Sequence, residues 1–285
     1  MRNLELAPAG LALGLLITLG PAAHADFTAN ASLSAQSLKV ENLVGQITLE
    51  GTDGTNFEID ASIQGRDATR ETMRLETVEG TDAVARILFP KGEDEFVYPR
   101  LGRSSRTTFT FTEQDREDGW LSALLGGLSR DQISVRGSGR GTEAWADLTI
   151  RVPRGKELRV KLGVGEISAA NIDGNISLLT HSGKIDGNDL KGDVKLDTGS
   201  GAVVVNDVAG NLSVDTGSGS VRVNGVKGQR VAIDTGSGSV TAADIDCETF
   251  SVDTGSGSIE GIGCAADDAK FDTGSGSIEV SFERV

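Results

Sequence analysis

The chain has 285 residues, with 27 Lys and Arg against 42 Asp and Glu, which gives a formal net charge of −15. Nucleic acids and anionic membranes are bound through cationic surfaces, so this charge argues against both as partners. Aromatic residues make up only 4% of the chain and glycines number 38, which indicates a core of small aliphatic side chains. Two cysteines exclude a disulfide-dense scaffold, and two histidines leave little for a zinc site.

Residues 1–25 have the pattern of a secretory signal peptide. Arg2 supplies a basic start, residues 11–19 form an apolar run, and an A-x-A site predicts cleavage between Ala25 and Asp26. The apolar run is too short to span a bilayer, and an uncleaved interfacial anchor is the alternative. The sequence therefore predicts an exported protein, in the periplasm, at the cell surface or outside the cell, that is not integral to the membrane.

Residues 26–160 are predicted to form an N-terminal β region. Alternating or β-branched runs indicate strands at 43–49, 57–63, 83–89 and 146–152. We expect an irregular β layer that covers the first coil of the repeats that follow, because an open sheet end exposes unpaired backbone groups.

A polar insertion, residues 91–141, interrupts this region. Four leucines follow i, i+3, i+4, i+7 spacing behind Trp120, which predicts a short amphipathic helix: Leu121, Leu124, Leu125 and Leu128. Two interpretations stay open. The helix packs on its own domain, or residues 119–130 bind a partner or contact the envelope.

Residues 161–285 form a repeat domain. The string DTGSG begins at Asp197, Asp215, Asp234, Asp253 and Asp272, with spacings of 18, 19, 19 and 19 residues. Degenerate copies begin at Lys161 and Leu179, so seven units run to the end of the sequence. A unit of this length is too short for a strand and a crossover helix.

The units align apolar residues in columns, which predicts stacked strands. One column holds Ile167, Ile185, Val203, Val221, Val240, Ile259 and Ile278. The fold class is therefore all-β, a parallel β-solenoid like a single-stranded β-helix, with about seven coils of 18–19 residues. We expect the glycines to supply positive φ at corners, and Asn188, Asn206 and Asn224 to form an amide ladder inside a turn. Glu279, Glu283 and Arg284 are expected to discourage stacking at the far end by charge.

The repeated aspartates are interpreted as structural turn residues. Asp-Thr-Gly-Ser also positions the nucleophile of aspartic proteases, but those enzymes bring two carboxylates together, whereas five copies here fall in a line. Like charges about 4.8 Å apart repel, so solvent, turn N–H groups or a bound cation must relieve them. Calcium solenoids use a different residue order. We therefore expect no catalytic residues, no cofactor and no metal.

Cys247 and Cys264 fall in adjacent coils, 17 residues apart. Aligning the triplets that end in each cysteine stacks the two sulfurs and favours a disulfide in an oxidising compartment. Counting from each repeat aspartate offsets them by two residues, beyond the bridging limit of about 7 Å between α-carbons, and predicts two buried thiols.

With the repeats aligned, the sequence resembles the bacterial putative-adhesin family of uncharacterised envelope proteins. The resemblance rests on the segments at 148–153, 165–167 and 182–185 and on the DTGSG units, and it covers roughly residues 38–285 apart from the insertion. It implies an all-β, solenoid-like, non-enzymatic module, with no catalytic residues.

Three functions follow. The first is a non-enzymatic secreted or periplasmic scaffold that binds an envelope or surface partner, protein or glycan, through its long β faces. The second is a structural or assembly protein that binds one partner protein through residues 119–130 or the solenoid end. The third, an enzyme acting on envelope polysaccharide, needs aromatic sugar platforms, and after Lys161 the aromatics are Phe250, Phe271 and Phe282, which fit core columns.

Overall fold

The computed structural model describes residues 26–110, 119–126 and 132–283, and the predicted signal peptide lies outside these ranges. Eighteen strands join in one sheet that winds into a solenoid, and four more form a separate small sheet. The strands before the insertion are β1 (Phe27–Leu33), β2 (Ser37–Val44), β3 (Ile47–Thr52), β4 (Phe57–Gln64), β5 (Arg74–Val78) and β6 (Asp82–Leu88).

The insertion, with the two residues that follow it, contributes one helix and a small sheet. Its elements are β7 (Glu95–Val97), a 3-10 turn (Pro99–Leu101), β8 (Arg106–Thr110), α1 (Trp120–Leu125), β9 (Gln132–Arg136) and β10 (Thr142–Glu143). The four strands form the small sheet in the order β10-β7-β9-β8. The helix agrees with the amphipathic spacing, except that Leu128 lies outside the described residues.

The remaining strands build the coils. They are β11 (Trp145–Pro153), β12 (Lys156–Val164), β13 (Ile167–Ala170), β14 (Gly174–Ser182), β15 (Ile185–Lys191), β16 (Val194–Ser200), β17 (Val203–Ala209), β18 (Leu212–Ser218), β19 (Val221–Thr235), β20 (Val240–Thr254), β21 (Ile259–Thr273) and β22 (Ile278–Phe282). Each coil contributes one strand to each of two sides, and the long strands β19, β20 and β21 each run from one side to the other, since the two parts of β19 pair with β17 and with β18.

Parallel pairing holds the coils in register, which confirms the predicted solenoid. Ile185 pairs with Val203, Val203 with Val221, and Val221 with Val240, all at 1% exposure or less. The β-branched side chains thus stack into continuous apolar columns, which close the interior that one coil alone could not bury.

The N-terminal strands cover the first repeat coil and also extend it. β2 pairs in parallel with β12, placing Leu38 beside Leu158, and β3 pairs in parallel with β13, placing Ile47 beside Ile167. These two strands therefore form one more turn ahead of the seven repeats. The sheet continues through β12 across residues 160 and 161, where the sequence places a domain boundary.

The remaining N-terminal strands close this end. On one side β6 pairs with β2, and β5 pairs antiparallel with β6. On the other side β11 pairs with β3, β4 with β11, and β1 with β4. The first coil therefore has strands on both sides of it, as the sequence predicts.

Candidate binding face of the solenoid

Each DTGSG tract turns a corner with fixed roles for its residues. In Asp215–Gly219 the aspartate points outward, whereas Thr216 is 1% exposed and donates its hydroxyl hydrogen bond to the carbonyl of Gly201, one coil earlier. The same bond, between 2.9 and 3.4 Å long, recurs in six coils, from Thr180, Thr198, Thr216, Thr235, Thr254 and Thr273. The threonines therefore tie successive coils together from the inside.

The glycines of the tract are required chiefly by close approach of the backbone. A β-carbon on Gly217 would lie 2.6 Å from the carbonyl oxygen of Gly199, and one on Gly219 would overlap the carbonyl of Gly201. Neither Gly217 nor Gly219 has a positive φ, so the sequence-based explanation is wrong for this corner. Positive φ is required instead at the second bend of each coil, opposite the DTGSG corner.

The residues at that second bend form a column that was not predicted from the sequence. Its residues have φ between 53° and 70° and recur every 18 or 19 positions: Asn171, Asp189, Asp207, Gly225, Asp244 and Gly263. Asn, Asp and Gly are the residues that adopt the left-handed conformation most readily. Their recurrence every 18 or 19 positions is the sequence pattern from which this bend could have been predicted.

Five aspartates lie side by side along the solenoid. We call Asp197, Asp215, Asp234, Asp253 and Asp272 the acidic row; each pairs in register with the next. Burial, and then the charge of Asp215, raises the pKa of Asp197, which Lys195 partly offsets. Burial, and then the charges of Asp215 and Asp253, raises the pKa of Asp234. At neutral pH the charged carboxylates of the row therefore repel one another.

The row borders a trough on the outer face of the strands that precede the corner. Two hollows of 590 and 290 Å³ share Ser213 and Ala232 and follow one another along the solenoid axis. The floor is one register of mostly small side chains with a cation at each end and one between them, in the order Arg159, Ser177, Lys195, Ser213, Ala232, Ser251 and Lys270. The acidic row lines one side of the second hollow.

A bonded polar ladder lines the other side of the first hollow. The Asp193 N–H donates to Asn175 Oδ1 (3.0 Å), and Asn211 Nδ2 donates to Asp193 Oδ1 (2.9 Å). The Arg230 N–H donates to Asn211 Oδ1 (3.0 Å). This ladder was not predicted from the sequence, although Asn175, Asp193 and Asn211 recur at a spacing of 18 residues.

The predicted amide column is stacked but is not internal. Asn188 pairs with Asn206, and Asn206 with Asn224. Asn188 is exposed and the other two are half-buried, so the column lies on the outer surface of the second set of strands.

The helix of the insertion packs on its own domain. Trp120, Leu121, Leu124 and Leu125 are all buried, at 3% exposure or less, and the Phe89 N–H donates to the carbonyl of Leu124 (2.9 Å). Its apolar face covers the outer surface of β2 and β6. These four side chains are thus unavailable to a partner, which removes the described part of residues 119–130 as a docking helix.

A charged cluster lies on the same outer surface of β2. The Glu41 side chain is 1% exposed, with its carboxylate 2.7 Å from Lys39 Nζ and 3.3 Å from Arg86 Nε. Lys161 pairs in register with Glu41 and places its ammonium 6.0 Å from the centre of the Trp120 ring. The buried carboxylate is therefore balanced by Lys39 of its own strand and by Arg86 of β6, as a structural ion-pair cluster requires.

The two cysteines are both buried and free, without a disulfide. Cys247 pairs in register with Ala266, and Cys264 with Ile245, so the cysteines are offset by two positions. This is the arrangement obtained by counting from the repeat aspartates. Burial raises the pKa of both thiols.

No group of three or more His, Cys, Asp or Glu side chains is placed to hold a metal ion among the residues that the structure describes. None of the helices within residues 26–110, 119–126 and 132–283 has the length and apolar character to cross a bilayer.

Solved structures of three other proteins resemble this chain, and the first of them illustrates the extent of the likeness. The chain is similar in structure to a putative cell adhesion protein from Clostridium sporogenes, with 12% identity and a TM-score of 0.37 over 91% of this chain and 100% of that one. A putative adhesin from Parabacteroides merdae shares 8% identity, with a TM-score of 0.35 over 90% and 96% of the chains. A putative lipid binding protein from Parabacteroides distasonis shares 11% identity, with a TM-score of 0.34 over 90% and 97%.

A comparison with curated proteins gave no match. The model of the Toastrack DUF4097 family matches residues 129–284, which is more than half of the sequence. These residues include the solenoid coils from β12 onward, with their Thr and Gly corners. The chain belongs to the Toastrack DUF4097 family.

Proposed function

We propose that the protein is an exported, non-enzymatic scaffold of the cell envelope, which binds an envelope or surface partner, protein or glycan, along the trough. The observation that carries this proposal is the continuity of the two hollows across the coils, through Ser213 and Ala232. A concave face that extends over several identical coils suits an extended partner better than a small molecule.

The chemistry of the trough supports a polar partner. Its floor carries hydroxyls and the amines of Lys195 and Lys270, and its sides carry the acidic row and the polar ladder. Donors and acceptors of both signs thus lie on a floor of small side chains, which leaves room for a ligand chain. The coil-to-coil threonine bonds keep these groups at fixed spacing, which lowers the entropy cost of binding.

Export rests on the signal-like residues 1–25. Protein recovered from outside the cytoplasm should have Asp26 as its first residue by N-terminal sequencing. A chain that retains Met1 in the cytoplasm would overturn this part of the proposal.

Crosslinking in cells tests the binding face. A photoreactive residue at Ala232 should give an adduct with a partner, because Ala232 lies where the two hollows join. The matched control is Thr241, which is similarly half-buried but points outward from the opposite side, between Arg222 and Glu260 in register. Equal adducts from both positions, or adducts only from Thr241, would contradict the proposal.

A blocking variant gives a second test. Ser213→Arg together with Ser251→Arg would fill the trough without touching the buried columns, because both serines point outward. Capture of the partner should be lost while the thermal unfolding temperature stays close to that of the unmodified protein. Retained capture would move the binding site elsewhere.

A further inference from the structure

The two ends of the solenoid differ. The first coil has strands on both of its sides, whereas, among the residues that the structure describes, the second half of β21 and β22 pair on one side only and form an open edge. Large apolar side chains remain exposed on β22, with Ile278 at 45% and Phe282 at 50%. Phe271 and Val280 are only partly buried against the core beside them.

The backbone of this edge is also oriented for pairing. One coil earlier, the N–H of Ile259 donates forward to the carbonyl of Ser277 (2.9 Å). Ile278 pairs in register with Ile259, so its own N–H points forward, away from the solenoid, and alternate residues along the strand repeat that direction. Among the described residues, no strand pairs with this edge. It therefore presents both apolar side chains and free backbone groups.

We propose that a second copy of this chain stacks on this edge, the two copies being related by a two-fold axis perpendicular to the solenoid. Each β22 then pairs antiparallel with the other β22, and each second half of β21 with its counterpart. A two-fold arrangement satisfies both edges at once and closes the assembly as a dimer.

The register of this pairing follows from the sequence of the edge. Phe271 lies three residues before the turn at 274–277 and Val280 three residues after it, so a single axis can pass through both. With the two-fold axis at Val280, Ile278 lies opposite Phe282 of the second copy. The exposed apolar side chains thus cover one another across the interface.

Charges are compatible with the same register. Around Phe271, Lys270 lies opposite Asp272 of the second copy, and the pair occurs twice by symmetry. On β22, Glu279 lies opposite Ser281 of the second copy, so the acids that were expected to discourage stacking do not meet. Like charges opposed across a strand pair would be destabilising, and this register avoids them.

The backbone of both strand pairs satisfies the same register. At alternate residues of both strands the backbone N–H and C=O groups point forward, away from the solenoid. The reason is that these residues continue columns whose earlier members bond forward to the next coil. They are Ala269, Phe271 and Thr273 on β21, and Ile278, Val280 and Phe282 on β22. Antiparallel pairing then forms about a dozen hydrogen bonds, in the range of stable interfaces.

The opposite end of the chain does not offer an equivalent surface. There β6 and β5 extend one side and β11, β4 and β1 the other, so the outermost strands are β5 and β1, which run antiparallel to their neighbours and do not continue the register of the coils. Stacking end to start, which would build a fibre, is therefore disfavoured.

Sedimentation equilibrium of the protein tests the proposal and should give twice the monomer mass at high concentration. Ile278→Lys combined with Phe282→Lys should give a monomer. Val78→Lys is the matched control, because Val78 is also 50% exposed but lies on β5 at the other end, and it should leave the dimer intact. Circular dichroism should show that all variants remain folded.

A charge exchange tests the register. Lys270→Asp alone, or Asp272→Lys alone, should weaken dimerisation by about tenfold, since each change acts twice across the axis. The double variant should restore it. A monomer at every concentration, open-ended assemblies, a dimer lost only on Val78→Lys, or a double variant no better than the single ones would overturn the proposal.

Discussion

Thr254 Oγ1 lies 3.0 Å from the carbonyl oxygen of Gly238, one coil earlier, and Thr254 is fully buried. Thr254→Val keeps the shape of the side chain but leaves that carbonyl without the hydroxyl. We expect the free energy of unfolding to fall by about 1–2 kcal/mol. Chemical denaturation measures the change.

Thr241→Val is the control for this prediction. Thr241 points outward and is half-buried, so its replacement should change the free energy of unfolding by less than about 0.5 kcal/mol. Equal effects at the two positions would show that the internal bond contributes nothing.

Gly219→Ala should be severely destabilising. The added β-carbon would overlap the carbonyl of Gly201, and backbone on both sides is fixed by strand pairing. We expect a loss of about 3 kcal/mol or more in thermal or chemical unfolding. Gly54→Ala should be tolerated, because its β-carbon would meet nothing closer than 3.6 Å. A well-folded Gly219→Ala variant of unchanged stability would refute the close-approach explanation.

Asp234→Asn should stabilise the protein at neutral pH. Burial, and then Asp215 and Asp253, raises the pKa of Asp234 above 3.8, so the folded state holds this proton more readily than the unfolded chain does. The charged carboxylate therefore costs stability above its folded-state pKa. We expect a gain of about 0.5 kcal/mol, since repulsion near 1 kcal/mol in water is reduced by salt.

The pH dependence checks the sign of this effect. The gain from Asp234→Asn should shrink as the pH falls through the raised pKa and should vanish below 3.8, where the carboxyl is protonated in both states. Asp268→Asn is the control, because Asp268 stacks on Thr249 rather than on another carboxylate. A gain that persists at low pH would point to a cause other than charge.

Thiol titration should find two free thiols per chain after denaturation in the absence of reductant. In the native state both Cys247 and Cys264 should react slowly, because burial raises the pKa of each thiol and limits access to it. Titration of the denatured chain that finds no thiols would show that the cysteines pair despite their two-residue offset.

The repeats made the coils predictable because identical units must stack in register, and columns such as Val203, Val221 and Val240 can be read directly from the spacing. The extra turn of β2 and β3 was not predictable in the same way. More than a hundred residues separate β2 from β12, so periodicity carried no signal, although Val44 to Thr48 has the local style of the repeats.

Parts of the candidate site depend on which way a side chain points, and spacing alone does not give this. The Asn206 column repeats like a core feature but faces outward, whereas the threonine of each tract faces inward and bonds across coils. The strands of the insertion, such as β9, pair only with each other, and no repeat aligns them. The docking of α1 follows from its apolar face, which needs cover.

The stacking of β12 on β2 is compatible with folding in chain order. The N-terminal strands come first in the sequence and can present a template for the first repeat, so each later coil can add to a surface already built. Growth then proceeds in one direction, and a truncated chain lacking its last coils would still expose only one unfinished winding. The fold is thereby suited to vectorial assembly.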